Sequence, residues 1–206
     1  MNHELLQRIR NDERLNLHLD VGVPAVLCGL NIDTVKPLSG QETAHARLLE
    51  TLGGGRGAYL HSDVGHGKTY LAAAMICTAI DANPHLPRMP DPAALFVSWR
   101  SLLHDQRSQA SDGYGDGRMM MMALGVPLVV IDDFGSGNPT DFALETAERL
   151  LDERYNTGGR TIITGNLTLN QLAARWGDRT ASRVAGLCRV VHVGGNDHRI
   201  DGARRG

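Results

Sequence analysis

Gly57-Ala-Tyr-Leu-His-Ser-Asp-Val-Gly-His-Gly-Lys-Thr69 is the stretch that decides the fold. Its apolar beginning, Ala58 to His61, predicts a short strand, and the glycines that follow predict a tight turn. A largely apolar helix is then predicted from Lys68 to Ile80. A strand, a glycine-rich turn and a helix opened by Gly-Lys-Thr are typical of a loop that binds the phosphates of a nucleotide.

The residues of this turn are those that a triphosphate requires. Gly65 and Gly67 let backbone N–H groups turn inward around an anion, and the first turn of the next helix adds its positive dipole end. Lys68 would reach the β- and γ-phosphates, and the Thr69 hydroxyl would hold Mg²⁺. The chain has 19 Arg and only two Lys, so Lys68 indicates a need for a compact charge. The predicted nucleotide-binding residues here are Ser62, Asp63, Val64, Gly65, His66, Gly67, Lys68, Thr69 and Tyr70.

Ser62 is the one departure from the full pattern, because it stands where the first glycine is expected. If that position needs a left-handed backbone, serine costs roughly 1–2 kcal/mol. Each charge-assisted hydrogen bond to a phosphate contributes about 1.5–3 kcal/mol, so several of them outweigh one strained residue. We therefore expect the loop to bind nucleotide; the alternative is a turn that binds nothing.

Length and composition set the class of protein. A chain of 206 residues predicts one domain with a hydrophobic core. The sequence contains no run of about 18 apolar residues, so no membrane-spanning helix is predicted. The three cysteines are widely spaced without a C-x-x-C pair, which favours reduced thiols in the cytoplasm over a zinc module. The net charge of −2 does not indicate a nucleic-acid binder, so any DNA contact must come from a local patch or from several subunits together.

A second chemical landmark is the run from Pro127 to Gly135, Pro-Leu-Val-Val-Ile-Asp-Asp-Phe-Gly. A continuous apolar run is typical of a strand buried on both faces of a parallel sheet, and ligands bind at the carboxyl ends of such strands. Asp132 would hold Mg²⁺ together with Thr69, and Asp133 would polarise the attacking water. The alternative, ordinary loop or cap chemistry, is disfavoured by the phosphate loop upstream.

Strands and helices alternate along the rest of the chain, which predicts a three-layer α/β fold with a parallel sheet. Residues 1–40 are predicted to form an N-terminal extension and residues 41–206 the nucleotide-binding domain. Within the extension, the leucines between residues 3 and 19 predict a short amphipathic helix followed by a less regular stretch. This helix either packs on its own domain or docks a partner, and residues 20–40 are interpreted as a linker or an extended wrap.

Taken together, four stretches resemble the DnaC/IstB-like branch of the AAA+ ATPases, which contains replicative-helicase loaders and the ATPase helpers of some transposases. They are residues 59–74, 128–135, 161–167 and 177–183. The resemblance covers roughly residues 40 to 200 and implies a P-loop NTPase with an AAA+/RecA-like parallel sheet. Because the chain ends soon after the last predicted strand, no full C-terminal lid is expected.

The resemblance implies further site residues. Asn166 matches the sensor residue that hydrogen-bonds the γ-phosphate or the attacking water. Arg183 matches the arginine finger that completes the site of a neighbouring subunit, and Arg179 is the weaker candidate for that role. Arg199 resembles the second sensor arginine. All four residues could instead be structural. Asn166 could cap a turn, and Arg183 could be a solvated surface charge.

The family further implies partners. Arg100, Arg107 and Arg118 lie in the helical region that lines the inside of the oligomer in this branch, where they would contact the phosphates of single-stranded DNA; an exposed basic face without a ligand is the alternative. The function implied is a helicase loader: an oligomer with ATP and Mg²⁺ at its subunit interfaces that binds single-stranded DNA and delivers a hexameric replicative helicase, with no membrane partner.

Two features leave other functions open. Asp133 stands where most AAA+ enzymes have glutamate, and its carboxylate is set back by roughly 1.5 Å, which predicts slow turnover. The N-terminal extension is short and has no metal ligands to match the zinc site that some loaders of the family carry there, so helicase docking by residues 3–19 is a hypothesis. The alternatives are a transposition helper that gathers double-stranded DNA, a non-hydrolysing ATP-binding interaction module, and, least favoured, a small-molecule phosphotransferase.

Overall fold

The protein is described by a computed structural model, which covers residues 3–83, 93–112 and 117–195. Five strands form one sheet whose paired strands are all parallel, in the order β2-β3-β4-β1-β5. The strands are β1 Gly57–His61, β2 Ala94–Ser98, β3 Leu128–Phe134, β4 Arg160–Gly165 and β5 Cys188–His192. The predicted parallel α/β sheet is confirmed.

Helices cover both faces of the sheet. One face packs against the N-terminal segment and against α3 and α4. The other face packs against α5 to α9. The helices are α1 His3–Asn11, α2 Glu13–Asp20, α3 Glu42–Leu52, α4 Lys68–Asp81, α5 Trp99–Asp112, α6 Arg118–Gly125, α7 Asp141–Thr157, α8 Leu169–Trp176 and α9 Asp178–Leu187, and a 3₁₀ turn spans Ala25–Leu27.

The sequence explains why the strands occupy the middle layer. Leu128 to Ile131 are buried as an unbroken apolar run, as are Ala58 to Leu60, which is the pattern of strands covered on both faces. Alternate residues of each strand enter the two opposite cores. The ends of β1, β3 and β4 therefore meet at one edge of the sheet, where the phosphate loop begins.

The N-terminal segment differs from the sequence-based expectation in one respect. The stretch after α1 is not irregular but a second helix, α2, because the Asp12 carboxylate caps it by accepting a hydrogen bond from the Leu15 N–H at 3.1 Å. Two separate short helices therefore replace the single predicted one.

This segment packs on its own domain. His18 is fully buried: its Nδ1 accepts from the Gly29 N–H at 3.0 Å, so Nε2 carries the proton and donates to Asp81, at the end of α4, at 2.9 Å. Farther along, the Phe96 N–H donates to the Val21 carbonyl at 2.7 Å, so that the segment covers the edge strand β2.

The buried guanidinium group of Arg154 connects α7 to the sheet where β3 and β4 begin. Arg154, 1 % exposed, donates hydrogen bonds to the Leu124, Val126 and Arg160 carbonyls and to the Thr161 hydroxyl. The side chain thus links α7 to β4 and to the connection before β3. Burial lowers the pKa of Arg154 to about 10, which leaves it charged at neutral pH.

Among the residues that the structure describes, no helix combines the length and hydrophobicity needed to span a bilayer.

Candidate nucleotide site

The phosphate loop connects β1 to α4 with the geometry that its glycines predict. Gly65 and Gly67 have φ values of +91° and +80°, which side chains other than glycine rarely adopt. Gly67 immediately precedes the first turn of α4, and no side chain caps that turn. The N–H groups of this turn therefore lie next to the loop, as an anion site at a helix N-terminus requires.

Lys68 is held across the loop. Its ammonium group donates to the Ser62 carbonyl at 3.0 Å, to the Ser62 hydroxyl at 3.1 Å and to the Asp63 carbonyl at 2.7 Å. The side chain is 7 % exposed and lines a cleft above the loop. The positive charge is thus placed beside the turned N–H groups, where it can neutralise a phosphate.

Ser62 fits the first-glycine position without backbone strain. Among the described residues other than glycine, Asp133 alone has a positive φ, so the left-handed conformation considered for Ser62 does not occur. The Ser62 hydroxyl donates to the Asp63 carbonyl at 3.1 Å and accepts from Lys68. Serine at this position therefore gives the Lys68 ammonium group an additional hydrogen-bond acceptor.

Asp132 meets the phosphate loop through Thr69. The Thr69 hydroxyl donates to Asp132 Oδ1 at 2.9 Å, and the Thr164 hydroxyl, from β4, donates to the same oxygen at 2.6 Å. Burial raises the pKa of Asp132 above its ordinary value, and these two hydrogen bonds oppose that rise. A hydroxyl and a carboxylate are hard oxygen donors of the kind that Mg²⁺ takes beside a phosphate.

Asp133 is held in a strained conformation next to Asp132. Its φ of 55° lies in the left-handed region, and the pairing of β3 with β4 shifts register between Ile131 and Phe134. The Asp133 N–H donates to the Thr164 hydroxyl at 2.9 Å, and the Asn166 amide donates to Asp133 Oδ1 at 3.2 Å. Strain of this kind is concentrated at functional sites, and here it aims the Asp133 carboxylate out of the sheet.

These residues line one cleft of about 810 Å³. Asp132, Asp133, Thr164 and Asn166 form the end beside β3 and β4. The other end is formed by the N-terminal segment, and Gly40 in that segment accepts a hydrogen bond from the Gly194 N–H, just after β5, at 2.8 Å. The residues of this second end are Leu27, Lys36, Leu38 and Gln41. The cleft therefore combines the phosphate loop and the carboxylates of β3 with two leucines, a lysine and a glutamine of the N-terminal segment, a set of side chains that fits a nucleoside triphosphate.

Residues 56–205 match the family described as IstB-like ATP binding protein. The chain belongs to this family. The residues matched to the IstB-like family include the phosphate loop, the carboxylates of β3 and the arginines of α9. A comparison with curated proteins found no match.

Solved structures share the fold of this IstB-like protein. The DnaC helicase loader aligns with a TM-score of 0.69 and 22 % identity over 82 % of this chain and 99 % of its own. DnaI aligns with a TM-score of 0.73 and 20 % identity over 91 % of this chain and 100 % of its own. Domain III of the replication initiation protein DnaA from Thermotoga maritima aligns with a TM-score of 0.69 and 17 % identity over 84 % of this chain and 70 % of its own. The predicted resemblance to the DnaC/IstB-like branch of the AAA+ fold is confirmed.

The two arginines of α9 lie away from this chain's own cleft. Arg183 donates to Asp152 of α7, and its guanidinium lies 5.0 Å from the centre of the Tyr155 ring. Arg179 donates to Asp152 at 2.6 Å and lies 3.3 Å from Glu148. Arg183 is 37 % exposed and Arg179 60 %, so both guanidinium groups are at the surface of the IstB-like domain.

The other predicted contacts are spread over the surface or lie outside the described residues. Arg100, Arg107 and Arg118 are exposed. Arg107 lies 5.5 Å from the centre of the Phe142 ring, so its guanidinium is partly engaged within the chain. Arg199 lies outside the described residues.

Sequence reasoning missed five residues that line this cleft, of which two carried a signal in the sequence and three did not. Thr164 carried a signal, because a buried hydroxyl in the run Ile-Ile-Thr-Gly must find a partner. Lys36 carried another, because it is the second of only two lysines and lines the same cleft as the first. Leu27, Leu38 and Gln41 carried none, since the path that returns them to the phosphate loop depends on the packing of the N-terminal segment.

Proposed function

We propose that the protein is an ATP-dependent assembly switch that loads a helicase. ATP binds at the interfaces of a homo-oligomer, the oligomer binds single-stranded DNA and delivers a hexameric replicative helicase, and hydrolysis releases it. The observation that carries the proposal is the Thr69–Asp132 hydrogen bond, which joins the phosphate loop to the carboxylate strand within one cleft. The fold that the chain shares with the DnaC loader supports the proposed helicase partner.

Within one subunit, this chain's residues bind and orient the substrate. Lys68 and the N–H groups of the loop bind the phosphates of ATP, and Thr69 and Asp132 would hold Mg²⁺. The Thr69 hydroxyl and the Asp132 carboxylate would supply the hard oxygen donors that Mg²⁺ takes beside phosphates. Such an ion neutralises charge that develops on the phosphates during transfer.

Hydrolysis needs an oriented water molecule, and Asp133 and Asn166 are proposed to hold it. The Asp133 carboxylate accepts a proton or polarises the water, while the Asn166 amide, already bonded to Asp133, fixes the direction of the carboxylate. Aspartate reaches less far than glutamate, and Asp133 is also held at a positive φ. We therefore expect slow turnover.

Arg183 is proposed to complete the cleft of the next subunit. It is at the surface and away from its own phosphate loop, and its partner Asp152 is a carboxylate with 23 % of its side chain exposed, which a neighbouring triphosphate can replace. A guanidinium in that position stabilises the charge of the leaving phosphate. Arg179 shares Asp152 and is the second candidate, and Arg199 is proposed as a sensor arginine.

The remaining assignments are proposals on the same basis. Arg100, Arg107 and Arg118 contact DNA phosphates, residues 1–40 form an extension to the ATPase domain of residues 41–206, and the protein acts in the cytoplasm. A transposition helper is the second candidate function, which the IstB-like family description favours. Preference for double-stranded over single-stranded DNA, with no capture of helicase, would support that function.

A subunit-mixing experiment tests the shared site. Lys68→Ala removes phosphate binding and Arg183→Ala removes the donated arginine, so each variant alone should lose ATPase activity at every protein concentration. Mixing the two should restore part of the activity, because some interfaces then combine an intact loop with an intact arginine. Restored activity should rise with total protein and with single-stranded DNA.

Arg179→Ala is the matched control, because it also breaks an ion pair with Asp152. Normal hydrolysis by Arg183→Ala at all concentrations would refute the shared site, and loss in Arg179→Ala alone would move the role to Arg179. A flat time course of phosphate release by the wild type with retained ATP binding would instead establish a non-hydrolysing module.

A further inference from the structure

Gln41 is a buried polar side chain that connects the N-terminal segment to the phosphate loop. It is 2 % exposed and lies at the residue that precedes α3. Its Nε2 donates to the His66 carbonyl of the loop at 2.8 Å, and its Oε1 accepts from the Leu38 N–H at 3.1 Å. One amide group thus satisfies a backbone acceptor in the loop and a backbone donor in the segment that lines the cleft.

The contact is close enough to restrict the loop. A Cβ atom built on Gly67 would lie 2.6 Å from Gln41 Nε2, nearer than non-bonded atoms approach. Gly67 therefore has two reasons to be glycine, its φ of +80° and this approach. Any rotation of the peptide between His66 and Gly67 must break the hydrogen bond or press the loop against the Gln41 side chain.

Gln41 is itself held from the other side. The Gly40 carbonyl accepts from the Gly194 N–H at 2.8 Å, and the Gly40 N–H donates to the Glu42 carboxylate at 2.8 Å. Gly40 has a φ of +89° and packs against the backbone at Gly194. The turn that carries Gln41 is therefore fixed between the end of β5 and the phosphate loop.

A helix cap is the ordinary role for a residue in this position, and Gln41 does not fill it. Its side chain makes no hydrogen bond to the N–H groups at the start of α3. Both of its polar atoms are instead used on the loop and on residue 38. The residue is thus built into the nucleotide cleft, which it also lines.

We propose that Gln41 is a positioning residue for ATP binding: its side-chain amide fixes the His66–Gly67 peptide so that the N–H groups of the loop point at the phosphates. The inference rests on the proposed function, because it assigns a role within the same site. The hydrogen bonds of Gln41 are to the phosphate loop and to residue 38, whereas Asp133 and Asn166 are the residues proposed to orient water, so Gln41 acts on the binding of ATP and not on the hydrolytic step.

The test is a comparison of three variants with the wild type. Gln41→Leu keeps the volume and removes both hydrogen bonds, and we expect the dissociation constant for Mg·ATP by calorimetry, and the KM, to rise about tenfold with little change in kcat. Gln171→Leu is the matched control, since Gln171 also bonds a backbone N–H at the start of a helix, that of Thr168 at 2.8 Å. It should lower the melting temperature and leave KM unchanged.

Gln41→Glu should change the pH dependence of the affinity for Mg·ATP, which a loss of stability alone would not change. Its ionised carboxylate keeps the acceptor for Leu38 but repels the His66 carbonyl, whereas the protonated acid can donate to that carbonyl. Affinity for Mg·ATP relative to the wild type should therefore recover as pH falls from 8 to about 5, since burial raises the pKa of a carboxyl above its ordinary range. Where Gln41→Leu does not fold, this pH series decides.

An unchanged KM in Gln41→Leu, or a ratio of Gln41→Glu to wild-type affinity that is constant with pH, would overturn the inference and leave the proposed function standing. A wild-type protein that does not bind Mg·ATP would overturn the proposed function itself.

Discussion

Thr164 and Asp132 share the shortest side-chain contact between β3 and β4 in the candidate site, with the threonine hydroxyl donating to the carboxylate at 2.6 Å. The same hydroxyl accepts from the Asp133 N–H at 2.9 Å. One side chain therefore orients the carboxylate proposed to hold Mg²⁺ and the backbone of the carboxylate proposed to polarise water.

Replacing Thr164 tests this double contact. Thr164→Val keeps the shape of the side chain, removes the donor to Asp132 and leaves the Asp133 N–H without an acceptor. We expect ATPase activity to fall by about 10- to 100-fold, the usual cost of losing a group that orients a metal ligand. Thr164→Ser restores the hydroxyl and should recover most of the loss. Equal activity of the valine and serine variants would contradict the assignment.

Replacing Asp132 by asparagine should stabilise the protein without nucleotide. Burial raises the pKa of Asp132, so the folded state holds this proton more tightly than the unfolded chain does. The stability that this proton contributes is full below the ordinary pKa of aspartate, about 3.9, and is lost as pH rises through the raised pKa. Asparagine keeps an acceptor for Thr69 and Thr164 but does not titrate.

The measurement is the melting temperature of both proteins between pH 4 and 7.5. The melting temperature of Asp132→Asn should exceed that of the wild type by an amount that grows as pH rises and reaches a plateau by neutral pH. The variant should also lose the added stability that Mg·ATP gives the wild type. A difference that narrows as pH rises would contradict the sign of the shift.

Removing Arg154 should destabilise the fold far from the cleft. Arg154→Met fills a similar volume but leaves the Leu124, Val126 and Arg160 carbonyls without their donor. We expect a loss of about 3 kcal/mol in the free energy of unfolding, measured by urea denaturation. Arg149→Met, on an exposed position of α7, is the control and should change stability by less than about 0.5 kcal/mol. Equal losses in both variants would contradict the role of Arg154.

Intrinsic fluorescence should report nucleotide binding, because both tryptophans of the chain flank Phe134, the residue after Asp133. The ring centres of Trp99 and Trp176 lie 4.9 and 5.9 Å from that of Phe134, and both indoles are buried. Reorientation of the strained Asp133 on binding Mg·ATP would shift Phe134 between them. We expect an intensity change in the wild type that is absent in Lys68→Ala. A wild-type signal that stays constant at saturating Mg·ATP would refute this coupling.

The parts of the site that follow from local patterns were predictable. The loop before Lys68 and the buried strand ending in Asp132 each carry their chemistry within a few residues, so spacing and hydrophobicity are sufficient. The helix after Asp12 was missed because a single capping carboxylate begins it. Gln41 was missed because it reaches the cleft only through the packing of residues distant in sequence. The oligomer and its donated arginine stay predictions, since a single chain carries no neighbour.

The burial of His18 bears on how the hypothesis that the first helices recruit a partner should be tested. A shortened protein beginning after α2 would lose the proton donor to Asp81 and the acceptor for Gly29, and would uncover the part of the apolar core against which Leu17 packs. Failure of such a fragment to capture helicase would then report damage to the nucleotide-binding domain as readily as the loss of a recognition surface. Charge reversal at Arg8 and Arg10, which are exposed on α1, separates the two outcomes in an otherwise intact molecule.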